Sequence, residues 1–188
     1  RVKFSTVSRH RRCPYPAKVT DLFIRKQSNM EHTITAFATG FGLGNAPWLP
    51  GTVGALPGLV IAWLLAHRRR RVQLGVVLLL IAIAVPVCEI ASNTLGGKDD
   101  SRIIADEFLL FQAAVVTLTL AKQPLALVGA FAVSRALDGL KPPPAAQLEG
   151  VAGGVGIVLD DLISNIYLWL MLAGLTAAFR LRKRHQTG

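Results

Sequence analysis

Three acidic clusters stand at the edges of apolar runs, and they are where this sequence could do chemistry. Asp106 and Glu107 directly precede the apolar run 108–121. Asp138 closes the next one, and Asp160-Asp161 lead into the last, 162–179. If 108–137 folds back as a helical hairpin, Asp106, Glu107 and Asp138 return to one side, and the Pro/Gly-rich connection 142–156 lets Asp160 and Asp161 join them. Five carboxylates so gathered repel and raise one another's pKa values unless a cation intervenes. An all-oxygen donor set suits Mg²⁺, which keeps part of its water shell and binds through one or two carboxylates plus substrate phosphate. Arg135 and Lys141 lie three residues to either side of Asp138 and supply fixed cations for phosphate oxygens. Acids, cations and Gly-rich backbone together point to metal-assisted phosphoryl chemistry.

Simpler readings exist for each piece. Acidic pairs entering helices also complement helix dipoles, and Asp138 could form an i, i±3 salt bridge. Glu89, near the end of a long apolar run, reads as an interfacial acid rather than a buried functional one. The stretch 40–54 is rich in Gly and Pro and reads as a shaped loop. It is either a connector that lets helices pack closely or a backbone nest for an anion, with Gly51 and Thr52 as the phosphate-binding candidates.

Four apolar segments must position these residues. Residues 52–66 are helical but short. Residues 72–91 match the roughly 20 residues needed to cross a hydrocarbon core, and 72–87 contain no charge. Residues 108–137 are interrupted by Lys122-Gln123-Pro124, and residues 162–179 end in a basic tail. No period-2 alternation bounded by turns appears. The expected fold is all-α: a compact, membrane-associated helical domain over 30–179. It is flanked by a basic, irregular and disordered leader at 1–29, broken by Pro14 and Pro16, and by the tail 180–188. Every organised feature follows Met30, a candidate start.

The chain of 188 residues is apolar (52% hydrophobic, 17% charged) yet carries a net charge of +10. High hydrophobicity excludes a disordered chain, and two distant cysteines exclude a disulfide scaffold. Eight of the 21 Lys/Arg fall in residues 1–30, and others form blocks at Arg68–Arg71 and Arg180–Arg184, whereas eight of the 11 acids fall between 99 and 161. A nucleic-acid binder carries its cations on the recognition elements. Here they flank apolar runs, as in membrane proteins, so the expected partners are a membrane and its lipids, with no nucleic acid. Nothing in the sequence sets an oligomeric state. The positive-inside rule places both Arg blocks in the cytoplasm and the acids outside, provided that 52–66 is re-entrant.

At these residues the chain resembles the phosphatidylglycerophosphatase A family of bacterial lipid phosphatases, from about Thr39 to Ala173. The matching pieces are Gly40-Phe41-Gly42-Leu43-Gly44 with Pro50-Gly51-Thr52-Val53-Gly54, then Ser101 through Asp106-Glu107. They continue with Arg135-x-x-Asp138-x-x-Lys141-Pro142 and end with Gly153-Gly154-x-Gly156-Ile157 and Asp160-Asp161. The resemblance implies Mg²⁺-dependent hydrolysis of phosphatidylglycerophosphate to phosphatidylglycerol and phosphate at the bacterial inner membrane, with the active site facing the cytoplasm, where that substrate is made. That orientation opposes the charge rule, and the place of the substrate outweighs the Arg count if 52–66 spans despite its length. On this reading Glu107, Asp160 and Asp161 hold Mg²⁺, with Asp106 as ligand or supporting partner. Arg135 and Lys141 bind phosphate. Asp138 is the general base or a further ligand. Metal-activated water and a covalent aspartyl-phosphate both remain open. The chain departs from the family at Ser134, where Phe is usual, and at Leu110, where Gly is usual. It departs again at Ser164-Asn165, where an Ala-Gly pair is favoured, and at Pro143-Pro144-Ala145, where the family continues with an aromatic and Pro-Ile. A small transporter or channel subunit using intramembrane acids is the alternative, but it predicts acids within spans rather than at their ends.

Overall fold

A computed structural model describes residues 17–45, 50–97, 100–140, 142–143, 145–148, 150–151 and 153–186. The chain forms helices α1 (Ala17–Ala38), α2 (Pro50–Ala66), α3 (Arg70–Leu95), α4 (Ala105–Val115), α5 (Pro124–Leu140), α6 (Ala145–Leu148) and α7 (Gly153–Gln186). Short 3-10 segments cover Gly40–Asn45 and Thr119–Lys122, and no strand occurs among the described residues. The all-α expectation holds.

The centre of the fold is α4. Every residue from Phe108 to Val115 is buried, including Leu110 and Phe111, and a helix apolar on all sides is stable only when wrapped by others. Here α2, α3, α5 and α7 supply the wrapping. One core cluster joins α3, α4 and α7 through Cys88, Ala91, Leu110 and Val158. A second joins α2, α4, α5 and α7 through Ala55, Phe111, Phe131 and Leu168. The α2–α4 contact is unusually close. A Cβ at Gly58 would lie 2.8 Å from the Phe108 carbonyl oxygen, and one at Gly54 would strike Ile104 Cδ1. Buried Gln112 donates from Nε2 to the Phe108 and Gly58 carbonyls at 2.9 and 3.3 Å, tying the two helices together.

Long helices α3 and α7 run antiparallel. Near its C-terminal end α3 carries Glu89, whose carboxylate accepts the Gly154 N–H at the start of α7. At the other end Arg70 shares a cleft with residues 173–181 of α7. Both helices are long and apolar enough to cross a membrane, and only 22% and 17% of their most apolar windows are buried in the fold. Large apolar side chains such as Leu78, Leu79, Leu170 and Phe179 face outward.

Three boundaries differ from the sequence reading. Helix α1 begins at Ala17, inside the stretch read as an irregular leader, because no Gly or Pro interrupts 17–38. Residues 1–16 lie outside the described residues. The Gly/Pro stretch 40–54 is not one loop: it opens with a 3-10 segment whose Phe41 and Gly42 have φ of 54° and 98°, and α2 starts already at Pro50. The last helix starts at Gly153 and continues to Gln186, so it absorbs both Asp160-Asp161 and most of the basic tail.

Candidate active site

Asp106 and Glu107 occupy the first turn of α4. Because α4 is wrapped on all sides, its first turn points these acids into the interior. The hairpin expected over 108–137 forms, with the chain turning back through Thr119–Lys122, so the C-terminal end of α5 returns beside the start of α4. Arg135 Nη1 then reaches Glu107 Oε2 at 3.0 Å and Asp138 Oδ2 at 3.6 Å, while Nη2 reaches Asp161 Oδ1 at 3.6 Å. One guanidinium therefore joins carboxylates from α4, α5 and α7. Its Cζ also lies 6.0 Å from the centre of the Phe131 ring, within cation–π range.

Asp160 and Asp161 sit two turns inside α7 rather than at its start, so capping that helix is not their role. Glu89 does that instead: the acid expected at a membrane interface satisfies a backbone donor at the start of α7, from another helix. Asp161 is 2% exposed. Asp160 Oδ1 accepts the Asp161 N–H at 2.9 Å. Gly51, in the first turn of α2, faces Glu107, and any Cβ there would collide with that carboxylate. Thr52 follows it, half-buried. The structure thus gathers Gly51, Asp106, Glu107, Arg135, Asp138 and Asp161 at one end of the bundle. Lys141 lies outside the described residues.

Most of the buried polar side-chain atoms that lack a hydrogen-bond partner among the described residues fall here: Asp106 Oδ1, Glu107 Oε2, Asp161 Oδ1 and Arg135 Nε and Nη2. Buried polar groups are normally paired, and exceptions mark strain or a missing ion or ligand. Burial, with Glu107 and Asp138 adding repulsion, holds the Asp106 carboxyl well above its ordinary range. Burial likewise lifts Glu107, against the pull of Arg135, to about 7. Glu107 Oε2 and Asp161 Oδ1 face the Arg135 guanidinium without hydrogen-bond geometry, and Asp106 Oδ1 has neither a hydrogen-bond nor an ion-pair partner among the described residues; all three are carboxylate oxygens, the donor type that a hard divalent cation takes. Among the described residues, no three such side chains are arranged to close around an ion by themselves.

Two residues that carry no charge, and that the charge pattern could not flag, complete the cluster. Asn165 Nδ2 donates to Asp161 Oδ2 at 3.1 Å and to the Asp161 carbonyl at 3.0 Å. Its Oδ1 accepts from Ser134 Oγ at 2.8 Å. Ser134 and Asn165 are buried, and both are positions where the chain departs from the resembled family. Against the family pattern that the resemblance implies, the two positions would form a compensating pair, a smaller residue on α5 facing a larger one on α7, and the pair restrains Asp161. Ser134→Phe alone should overpack, and Asn165→Gly alone should leave a cavity and an orphaned hydroxyl, each costing about 1–3 kcal/mol. The double variant should recover about 1–3 kcal/mol of the summed loss. Strictly additive melting shifts would refute the pairing.

A family model described as phosphatidylglycerophosphatase A matches residues 36–176. A protein named phosphatidylglycerophosphatase A from Escherichia coli (strain K12) is 32% identical over 142 residues, covering 75% of this chain and 80% of the relative. One of the same name from Haemophilus influenzae is 31% identical over 152 residues, covering 76% and 88%. A Bacteroides thetaiotaomicron protein, provisionally named phosphatidylinositol-3-phosphatase, is 29% identical over 145 residues, covering 72% and 88%. No solved structure matches the chain at the same stringency. With three quarters of its length matched, and the acidic cluster within the matched span, the chain belongs to the phosphatidylglycerophosphatase A family of phosphatases.

Proposed function

We propose that this protein hydrolyses phosphatidylglycerophosphate to phosphatidylglycerol and inorganic phosphate, with Mg²⁺, at the bacterial inner membrane and from its cytoplasmic face. The observation that carries the reading is the convergence of Glu107, Asp138 and Asp161 on Arg135. It stands at one end of two helices long enough to span a bilayer, where a lipid headgroup would meet it. One or two of Glu107, Asp160 and Asp161 would hold the ion, with substrate phosphate completing its shell and Asp106 beside them. When bound, it supplies Lewis-acid polarisation of the phosphoryl oxygen and a more acidic water. Arg135 and Lys141 bind the phosphate oxygens, with Gly51 and Thr52 at the start of α2 beside them; the missing side chain of Gly51 lets α2 approach the Glu107 carboxylate closely. Asp138, the more exposed acid of the cluster with 30% of its side chain accessible, takes the proton from the attacking water. The P–O bond to glycerol breaks, and Asp106, whose carboxyl holds its proton above the ordinary range, returns a proton to the leaving alkoxide. The acyl chains lie against the outward-facing apolar side chains of α3 and α7.

The reading is tested on the full chain in lipid, by phosphate release from phosphatidylglycerophosphate with and without chelator, and with phosphatidylinositol 3-phosphate as a competing substrate. Turnover should vanish with chelator and fall about 10²-fold or more in Asp160→Asn and in Asp161→Asn, the loss typical of removing one electrostatic contributor. Undiminished turnover in both variants would overturn the metal assignment, and faster release from the inositol lipid would overturn the substrate.

A further inference from the structure

We propose a second lipid site: a cleft at the end of the bundle opposite the carboxylates, which holds the phosphate head of an anionic phospholipid. The cleft is about 430 Å³ and lies roughly 24 Å from Asp161 along α7 at 1.5 Å per residue. Arg70 opens α3 on one side of it, and Arg180 and Thr176 line the other, from the last third of α7. Thr117 and Thr119, from the link between α4 and α5, also line it. Arg180 Nη2 donates to Thr119 Oγ1 at 3.4 Å. None of its lining residues is acidic. Leu118 and Leu181 add an apolar wall.

The link that shapes the cleft is held under strain. Thr117 has φ of 63°, a left-handed backbone that a β-branched residue rarely adopts. Such a conformation persists only where its surroundings over-determine it, and these outliers gather at binding sites. Here buried Gln73 enforces it: its Oε1 accepts the Thr117 N–H at 2.7 Å, and its Nε2 donates to the Ala66 and Arg68 carbonyls at 3.3 and 3.0 Å. Trp169 Nε1 donates to the Val116 carbonyl at 2.9 Å, one residue earlier. The α2–α3 turn and α7 thus clamp the link from both sides.

Two guanidiniums at the mouth of one cleft match the oxygens of a phosphate group, and the threonine hydroxyls add neutral donors. The occupant is a lipid rather than a free ion because of position and lining. Arg70 is the first residue of one membrane-length helix, and Arg180 lies near the end of the other's apolar stretch. That is the level of the headgroups, and the leucine wall suits glycerol and the first acyl carbons. The proposal rests on the reading of α3 and α7 as membrane spans, and not on the phosphatase reaction.

The test uses the full chain in phosphatidylcholine nanodiscs, with and without phosphatidylserine. That lipid is an anionic diester and offers the carboxylate site no phosphomonoester to attack. Retention of phosphatidylserine is read by native mass spectrometry, with inorganic phosphate as competitor, and phosphate release from phosphatidylglycerophosphate is measured on the same preparations. Arg70→Gln/Arg180→Gln should weaken retention about ten-fold or more while leaving hydrolysis intact. Arg71→Gln/Arg182→Gln, which removes equal charge outside the cleft, should not weaken it. Equal losses in the two double variants would show diffuse surface charge and overturn the site. So would unchanged retention in Arg70→Gln/Arg180→Gln, or binding of inorganic phosphate without retention of the lipid. A wild-type protein that retains the lipid but hydrolyses nothing would refute the proposed function and leave this site standing. A protein that fails to enter the nanodisc would refute the spans on which the site depends.

Discussion

Replacing Arg135 by alanine is expected to lower phosphatase turnover by about 10²- to 10³-fold, the loss seen when one preorganised charge partner is removed from a reacting centre. The cause is not only a lost phosphate contact. Among the described residues Arg135 is the cation that Glu107, Asp138 and Asp161 share. Breaking a buried ion pair by removing one partner costs about 3–5 kcal/mol, because the other charge is left uncompensated. The carboxylates can escape that cost only by taking up protons. Glu107 already lies at about 7 because burial raises it more than Arg135 lowers it. Without the guanidinium it should rise further, so the pH at which activity appears should move upward. The sign distinguishes this from simple misfolding: the residual activity of Arg135→Ala should recover at alkaline pH, whereas a loosened fold would recover nowhere. Arg135→Lys keeps a charge but not a fork that reaches three acids from one position, and its turnover should lie between the two. A profile of Arg135→Ala that superimposes on the wild-type profile would refute this account.

Gly58→Ala should be the most destabilising single-methyl change in the chain's central contact. The added Cβ would lie 2.8 Å from the Phe108 carbonyl oxygen and 2.9 Å from Phe108 Cα. Both are backbone atoms of the buried central helix, so neither can swing aside. Overpacking of this kind costs about 1–3 kcal/mol, and separating α2 from α4 would also stretch the Gln112 hydrogen bond to the Gly58 carbonyl. Because α4 carries Asp106 and Glu107, the shift should reduce activity along with melting temperature. Gly75→Ala in α3 is the matched comparison, since no atom lies within 4 Å of its added methyl. It should leave the melting temperature unchanged or slightly raised. Equal melting shifts in the two variants would remove the case for a close α2–α4 contact.

The contrast between Gly58 and Gly75 also marks where sequence reading stops. Both are glycines within helices, and nothing local separates them. What separates them is a partner 50 residues away in one case and open space in the other. The same holds for Ser134 and Asn165, each of which looks like a departure until the hydrogen bond between them is seen. Glu89 is alike: its role as cap to α7 depends on a contact spanning 65 residues.

Much else was legible from local pattern alone. The charge-free run over 72–87, apolar apart from Gln73, has the length of a membrane-crossing helix, and Lys122-Gln123-Pro124 divides the next run into the two arms of a hairpin. That hairpin already brings Glu107 and Asp138 to one side, and the charge sequence singles out Arg135 between them. These are consequences of periodicity and chain reach, and they require no knowledge of partners. Tertiary packing decided the rest. It set Asp160 and Asp161 inside α7 instead of at its start: the helix begins at Gly153, where Gly154 packs against the α3 backbone and donates its N–H to Glu89. It buried α4 on every side, which forces the Asp106 and Glu107 carboxylates inward and shifts their proton affinity. The residue types of the acidic site are a property of the sequence. Their convergence on one guanidinium belongs to the fold, because hydrogen-bond and ion-pair energies act over distances in space that residue order does not encode.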